Sequence, residues 1–156
     1  MLAFNVPETG VKDFMNKLFK ESAFDDFEIR DACVTSFVKF EISGGLSKEA
    51  LLAQPDASRR YYANWAELKP YVFGFVKGKT KPENIRLVFS GGEILVKSIH
   101  ENAAAVFLNM NYENGEIRFT TATSQKEFAL NKELDARWEE YIEHFFSSLD
   151  INVVQE

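Results

Sequence analysis

The sequence predicts an α+β fold, with a mainly antiparallel sheet, helices packed on one face of it and a further helix near the C-terminus. The first observation is that a short apolar strand, an amphipathic helix and a hairpin occur in this order twice, from Leu2 to Ile42 and from Ile85 to Leu130. This order indicates an internally duplicated β-α-β-β unit. The second observation is the length of 156 residues, which is near the commonest size of one domain. We therefore expect a single domain over residues 1–156.

The first unit opens with an alternating strand that ends at Pro7, which cannot donate to a sheet. The helix that follows has apolar residues at helical spacing, namely Val11, Phe14, Met15, Leu18 and Phe19. We expect the hairpin to turn near residues 30–32 and its second strand to run over residues 34–42. The polar residues that alternate with the apolar ones predict one solvent-facing side.

The residues between the two units are predicted to form short helices and loops. A short helix is expected over residues 47–52, and most of residues 53–64 read as a loop, with a helical turn starting at Arg59. Asn64 and Glu67 have the spacing of a capping box. Because Pro70 lacks the amide that a long helix needs, we expect a break there and a new helix that ends at Lys77.

The second unit repeats the order of the first. Alternation over residues 85–89 predicts a strand, and Ser90 to Glu93 has the spacing of a capping box at the start of a helix. Asn114-Gly115 is a strong type I′ hairpin signal between two alternating strands. A further short strand is expected through Phe128 and Leu130.

The last helix is expected to begin after Asn131, a residue type that caps helices well. It has a broad apolar face, formed by Leu134, Trp138, Tyr141, Ile142, Phe145 and Leu149. Ile151 and Val153 predict a terminal strand.

The charge of the chain is unevenly distributed. The formal net charge is −6, but residues 46–90 contain eight basic and four acidic side chains, whereas residues 91–156 contain five basic and twelve acidic ones. Overall acidity argues against a dedicated nucleic-acid-binding protein, because affinity for nucleic acid depends on neutralising phosphates. A local basic surface in the middle of the chain is still compatible with such binding.

Ligands for a structural metal site are scarce. Cys33 is the only cysteine, which excludes an intramolecular disulfide, and His100 and His144 are the only histidines. We therefore predict neither a metal nor another cofactor, and a reducing, cytoplasmic setting. The N-terminus has no basic segment followed by a long apolar run, and the chain has no apolar run of membrane-spanning length, so neither export nor membrane insertion is indicated.

The order of elements resembles a single domain of the sliding DNA clamps, in which duplicated units also pack their helices on one face of antiparallel sheets. The resemblance implies a fold and leaves the function open. Clamps line their ring with basic helices, whereas the helices predicted here also carry Asp13 and Glu93 beside their lysines. A role in encircling DNA is therefore not favoured.

A second resemblance is carried by individual residues spread over nearly the whole chain: Trp65, Lys69, Pro70, Lys77, Gly78, Lys79, Pro82, Leu108, Asn109, Tyr112, Gly115, Thr123, Ser124, Phe128, Lys132 and Trp138. With these residues the chain resembles an uncharacterised bacterial family classed as a domain of unknown function. The family pattern has a glycine at the position of Ala122 and aspartates at the positions of Asn131 and Glu139, so this chain differs at three positions. The resemblance implies no activity, cofactor or substrate.

A basic segment is the first candidate for a binding surface. It consists of Lys77, Lys79, Lys81 and Arg86. Arg59 and Arg60 would add to its charge if the fold brings them near. Because the dipole of a helix C-terminus repels anions, phosphate binding here would depend on the lysines as point charges. The alternative is a solvated loop whose cations complement the dipole of the preceding helix.

A polar patch near the second hairpin is the other candidate. It consists of Asn109, Thr121, Thr123 and Trp138. Hydroxyls and amides can bind a polar ligand, but a nucleophile needs a base, and none is adjacent in the sequence. The alternative is that the threonines are ordinary strand residues.

The sequence favours a non-enzymatic binding or interaction module, because its polar residues form surfaces rather than a nucleophile, a base and an orienting group. We expect its partner to be another protein or a second copy of the chain, rather than nucleic acid or a membrane. One alternative is a nucleic-acid-associated, clamp-like protein that uses the segment from Lys77 to Arg86. The other is a small polar-ligand-binding or enzymatic domain with a pocket near Asn109, Thr121 and Thr123.

Overall fold

The computed structural model describes residues 1–56 and 60–156, and these residues form an α+β fold, as the sequence predicts. The strands are β1 (Ala3–Val6), β2 (Glu28–Thr35), β3 (Lys39–Ser43), β4 (Asn84–Ser90), β5 (Ala103–Glu113), β6 (Glu116–Gln125) and β7 (Val154–Gln155). The helices are α1 (Val11–Phe19), preceded by a 3₁₀ turn (Glu8–Gly10), and α2 (Lys48–Leu52), α3 (Trp65–Val76), α4 (Glu93–Ile99) and α5 (Glu133–Ser148).

The seven strands in the described residues form one antiparallel sheet in the order β3-β2-β4-β5-β6-β1-β7. In the second unit, the opening strand β4 lies beside its own hairpin strand β5. In the first unit, the opening strand β1 pairs with β6 of the other unit, and the hairpin of β2 and β3 extends the opposite edge of the sheet. The order of elements therefore repeats along the chain, while the strand pairing differs between the units.

The core lies between one face of the sheet and the four longer helices. Each of these helices contributes residues to a single hydrophobic cluster, and the largest fully buried side chains are Trp65, Trp138, Phe14, Phe24, Phe89, Phe119 and Phe146. Their rings meet in edge-to-face and tilted pairs, such as Phe14 on Phe24 at a centroid distance of 5.5 Å. Such pairs add to the free energy gained by burying aromatic area. The phenylalanine content of the chain is thus explained mainly by core packing.

The opposite face of the sheet is polar. The strand register aligns one row of side chains across five strands, formed by Cys33, Arg86, Asn111, Arg118 and Asn5. Side chains alternate between the two faces of a strand, so the neighbours of these residues point toward the helices. The sheet therefore has one face in the core and one polar face.

The first hairpin turns later than the sequence predicts. Strand β2 continues through residues 30–32, and the chain turns at residues 36–38, where the Ser36 N–H donates to the Val38 carbonyl at 2.9 Å. The predicted turn at residues 30–32 is therefore wrong. The polar residues there mark a β-bulge, since the pairing of β2 with β4 shifts between Ile29 and Asp31.

Helix α3 continues through Pro70, so the predicted break at this residue is wrong. The capping box of Asn64 and Glu67 is confirmed, and it satisfies two backbone amides at the start of the helix. Trp65 and Val72 are buried on the same helix. Capping and burial together offset the hydrogen bond that the proline removes.

The segment before α3 is extended rather than helical. Tyr62 bridges to Gly45 and Asn64 bridges to Glu28, so residues 60–64 lie along the edge of the sheet. The helical turn predicted from Arg59 is therefore wrong for residues 60–62, and Arg59 itself lies outside the described residues.

Two segments within the second unit also differ from expectation. Ser90 ends β4 and its hydroxyl accepts a hydrogen bond from Arg30 Nε at 3.1 Å, so it does not cap α4, whose N-cap is Gly92. Phe128 and Leu130 lie in a loop and are 86% and 85% exposed, because the Gln125 side chain bonds the backbone of Ala129 and closes a turn. The predicted capping box and the predicted strand are both wrong.

Other local predictions are confirmed or shifted by a few residues. The Asn114-Gly115 turn has φ angles of 53° and 79°, the left-handed values that a type I′ turn requires. Asn131 accepts a hydrogen bond from the Glu133 amide at 3.2 Å, one residue before the N-cap position of α5. The terminal strand is β7 at residues 154–155, whereas Ile151 packs in the core.

None of the helices in the described residues has the length and apolarity needed to cross a bilayer.

Candidate functional site

Three of the predicted polar residues meet in one cavity of about 410 Å³, here called the polar cavity. It is lined by Met1, Thr121, Ala122, Thr123, Gln125, Phe128, Ala129, Asn131, Lys132, Asp135 and Trp138. Strand β6 supplies the threonines on its helix-facing side, and α5 supplies Trp138. The volume lies within the range that small-molecule sites occupy in proteins.

The hydroxyls of the polar cavity are held by specific partners. Thr121 Oγ1 accepts a hydrogen bond from the Leu2 amide at 2.9 Å, and Thr123 Oγ1 donates to Asp135 Oδ1. The Trp138 indole N–H donates to the Phe107 carbonyl at 2.8 Å. Sequence reasoning missed Asp135, although it lies three residues before Trp138 and therefore on the same side of α5.

Asn109 lies apart from the polar cavity. It pairs with Thr120 across β5 and β6, and its Nδ2 donates to Thr120 Oγ1 at 3.4 Å. The next residue pair in the register, Leu108 and Thr121, faces the helices. Because side chains alternate along a strand, Asn109 is on the polar face of the sheet and does not contact the cavity.

The predicted basic segment is also divided by the fold. Lys77 caps the C-terminus of α3, and Lys79 and Lys81 follow in an exposed loop. Arg86 lies on the polar face of β4, and Arg60 pairs with Glu67 at the opposite end of α3. Arg59 lies outside the described residues. The structure thus groups the lysines with one another but not with the arginines.

A second cavity, larger than the polar cavity, was not predicted from the sequence. It has a volume of about 700 Å³ and lies between α4, α5 and the loop that follows α1; we call it the α4–α5 cleft. It is lined by Ala23, Asp26, Phe27, Arg60, Gly92, Glu93, Ile94, Leu95, Ser98, Tyr141 and Phe145. Its walls are mainly apolar, and Ile94 at its rim is 88% exposed. A sequence signal exists, because Ile94, Leu95 and Val96 are consecutive in a helix and cannot all face the core.

Charged groups at the cleft rim are largely paired. Arg60 Nη2 donates to Glu67 Oε2 at 2.9 Å, and a second bond joins Arg60 Nη1 to Glu67 Oε1. The hydrogen bonds from Arg60 lower the pKa of Glu67 to about 2, and they raise the pKa of Arg60. Glu93 pairs with Lys97 at 2.8 Å, which lowers the pKa of Glu93.

A half-buried carboxylate lies behind the cleft wall. Glu28 lies against the backbone of Gly92, where an added Cβ would come within 3.1 Å of Glu28 Oε2. Burial raises the pKa of Glu28, while the positive charges of Arg30 and Arg60 partly oppose this shift. A side chain at position 92 would therefore displace Glu28 or move the start of α4.

Arg30 fixes the edge segment that carries Arg60. Its guanidinium carbon lies 3.9 Å from the centroid of the Tyr62 ring and 5.2 Å from that of Phe107. Its Nη1 also donates to the Tyr62 hydroxyl at 3.0 Å. Cation–π contact of this kind is favourable when the cation is partly desolvated. These contacts of Arg30 with the Tyr62 and Phe107 rings hold residues 60–64 on the sheet and so position one side of the cleft.

Within the described residues, no group of three or more histidine, cysteine, aspartate or glutamate side chains is arranged to hold a metal ion. No curated protein and no solved structure matches the chain, so the likeness to a sliding-clamp domain stays a prediction. A family model matches residues 17–153, a range that includes the α4–α5 cleft and the polar cavity except for Met1. The chain therefore belongs to DUF5721, a family of unknown function.

Proposed function

We propose that the protein is a non-enzymatic binding module that holds an apolar side chain of a partner protein in the α4–α5 cleft. The observation that carries this proposal is the exposure of Ile94, 88%, at the rim of an apolar cavity of about 700 Å³. Burying an isoleucine side chain stabilises a structure by about 1.5–3 kcal/mol. In the isolated chain the Ile94 side chain stays exposed to solvent, so this free energy is gained only when a partner covers the cleft.

The apolar surface around the cleft is continuous enough for such a partner. Phe27, Leu95, Tyr141 and Phe145 line it beside Ile94. Apolar anchors in a partly open pocket with a polar rim are typical of interfaces at which an amphipathic helix docks.

The rim charges favour a partner segment with basic residues. Arg60 and Glu93 are neutralised by Glu67 and Lys97. Asp26 also lines the cleft, is exposed, and has no ion-pair partner within the described part of the chain. A lysine or arginine next to the apolar anchor would complement Asp26 and increase the association rate.

A peptide titration followed by NMR tests the proposal. The probe is a synthetic amphipathic helix of leucine and lysine, and the control is a peptide of the same composition with a scrambled, non-amphipathic order. We expect saturable amide shifts in α4 and at Tyr141 and Phe145 with the amphipathic peptide only. Equal shifts with both peptides, or shifts confined to other surfaces, would contradict the proposal. Shifts that depend on protein concentration without peptide, with a scattering mass of two chains, would instead indicate a second copy as the occupant.

A second candidate function is the binding of a small polar molecule in the polar cavity. The observation that favours it is the Thr123–Asp135 hydrogen bond in a cavity of about 410 Å³ that Lys132 also lines. A carboxylate and an ammonium on one cavity suit a small zwitterion. Thermal-shift measurements with the proteinogenic amino acids at millimolar concentration test this candidate, and we expect a rise in Tm that Asp135→Asn removes. No rise with any of them would exclude this ligand class.

A further inference from the structure

Three phenylalanine rings meet beside the turn between β2 and β3. Phe37 is 75% exposed at this turn, and its ring is edge-on to Phe40 at a centroid distance of 6.1 Å. Phe40 in turn stacks on Phe75 of α3, with centroids 4.1 Å apart and planes inclined by 7°. The stack holds the turn against the end of α3. The exposed Phe37 ring therefore lies on a turn that packs against α3, not on a free loop.

A cavity of about 300 Å³ lies beside these rings, and we call it the aromatic slot. It is lined by Ser36, Phe37, Phe40, Gly74, Phe75, Gly78, Lys79 and Thr80. Gly74 and Gly78 add no side chains to the slot beside Phe75, and a Cβ added at Gly74 would meet no atom within 4 Å. A flat ring can therefore approach Phe37 and Phe75 closely.

One lysine, Lys79, lines the aromatic slot, and Lys77 and Lys81 lie two residues before and after it in the chain. Lys77, Lys79 and Lys81 are exposed, and in residues 1–56 and 60–156 none of them forms an ion pair. Lys77 lies 5.4 Å from the centroid of Phe73, which places its charge at the end of α3. The helix dipole contributes only about half a negative charge there, so the three lysines leave a net positive surface.

We propose that the aromatic slot binds a nucleobase with its attached phosphate, and that the natural source of this ligand is single-stranded nucleic acid. Stacking on aromatic rings and neutralisation of phosphates by lysines are the two interactions by which proteins bind single strands without sequence preference. The combination of a concave slot with a ring at its mouth fits an inserted base, whereas a bilayer surface has no flat ring to insert. This inference is independent of the α4–α5 cleft.

Fluorescence anisotropy with a labelled oligo(dT) strand of twelve nucleotides tests the proposal. Phe37→Ser is expected to weaken binding about fivefold or more, because stacking contributes about 1–3 kcal/mol per base. Tyr61→Ser is the matched control, since Tyr61 is a 62% exposed aromatic residue in the segment before α3. Both positions are exposed, so both variants should keep the wild-type circular dichroism spectrum.

A second pair of variants tests the role of the lysines. Replacing Lys77, Lys79 and Lys81 with glutamine should reduce the slope of log K against log salt concentration by about two, since each phosphate contact on a single strand contributes about 0.7. The control of equal charge replaces the exposed Lys12, Lys48 and Lys126. An unchanged slope in the first triple variant, or an equal loss in both, would overturn the proposal.

Two further results separate the sources of the ligand. Displacement of the strand by AMP, lost in Phe37→Ser, would support the slot as the nucleobase site, whereas Phe37-dependent binding of AMP without binding of the strand would overturn single-stranded nucleic acid as the source. No binding of the strand or of AMP at about 20 mM salt, where electrostatic attraction is strongest, would overturn the proposal. Phe37-dependent sedimentation with phosphatidylserine vesicles in the absence of strand binding would overturn it in favour of a membrane surface.

Discussion

The Tyr141 ring stacks on the Trp138 indole, with ring centroids 5.4 Å apart and planes inclined by 10°. Trp138 lines the polar cavity and Tyr141 lines the α4–α5 cleft. One helix, α5, therefore supplies a wall to both cavities. Substitutions at Trp138 are expected to affect the two sites together, whereas substitutions at the rim of the cleft should leave the polar cavity intact.

Trp138→Phe is expected to destabilise the protein. The variant removes the partly buried indole hydrogen bond to the Phe107 carbonyl, and leaving a buried acceptor unpaired costs at most about 1–3 kcal/mol. Urea unfolding measures the change in the free energy of unfolding. Trp65→Phe provides the comparison, because the Trp65 indole also donates to a backbone carbonyl, that of Leu18, at 2.9 Å, in a buried hydrogen bond. Similar losses in both variants are expected, and a neutral effect at Trp138 would contradict the role given to this hydrogen bond.

Glu67→Gln is expected to weaken the fold at neutral pH and to have no effect in strong acid. The folded-state pKa of Glu67 is about 2, below the value of 4.5 for an unperturbed glutamate. Its contribution is therefore fully present above pH 4.5 and is lost as the pH falls toward 2. Because the pair is about half exposed, we expect about 1 kcal/mol or less. Urea midpoints from pH 7 to pH 2 test this, and a stability difference that does not shrink between pH 5 and pH 2 would contradict it.

Glu28→Gln is expected to stabilise the protein at neutral pH, the opposite of the effect expected for Glu67→Gln. Burial raises the folded-state pKa of Glu28, so its contribution is present below the unfolded-state pKa and is lost as the pH rises through the folded-state value. The variant should be more stable than the wild type at pH 7, with a smaller gain at pH 4. Chemical unfolding at both pH values measures the difference. A less stable variant at pH 7 would show that the attraction of Arg30 and Arg60 outweighs burial.

Thr123→Val is expected to cost about 1 kcal/mol or more, because it preserves shape but leaves the Asp135 carboxylate without its hydroxyl donor. Thr120→Val is the control, since Thr120 only accepts a long bond of 3.4 Å from Asn109. Thermal unfolding of both variants makes the comparison. Equal losses of stability in the two variants would indicate that β-strand packing, rather than the hydrogen bond to Asp135, determines the destabilisation.

The general architecture could be predicted from the sequence because the spacing of apolar residues indicates which side chains are buried. Alternation in the strands and the apolar stripe of α1 both match the buried residues of the sheet and helix. The Asn114-Gly115 turn was also predictable, because few residue types adopt positive φ. In these cases the local sequence and the tertiary structure favour the same conformation.

The remaining features depend on contacts between distant residues. Pro70 is compatible with α3 because a capping box and a buried tryptophan stabilise the same helix. The polar cavity was predictable only in part, since strand alternation separates Asn109 from Thr121 once the register is known. The α4–α5 cleft brings together residues from Ala23 to Phe145, and no local pattern indicates that these residues meet.

The measurement that tests the proposed function most directly compares two variants in the titration with the amphipathic leucine and lysine peptide. Ile94→Asp changes the rim of the cleft, and Leu130→Asp changes an equally exposed leucine elsewhere, so neither should affect folding. We expect Ile94→Asp to weaken the affinity about tenfold or more, in line with the loss of a buried isoleucine anchor, and Leu130→Asp to leave it unchanged. Equal affinities for the wild type and Ile94→Asp would contradict the proposal that the α4–α5 cleft is the binding site.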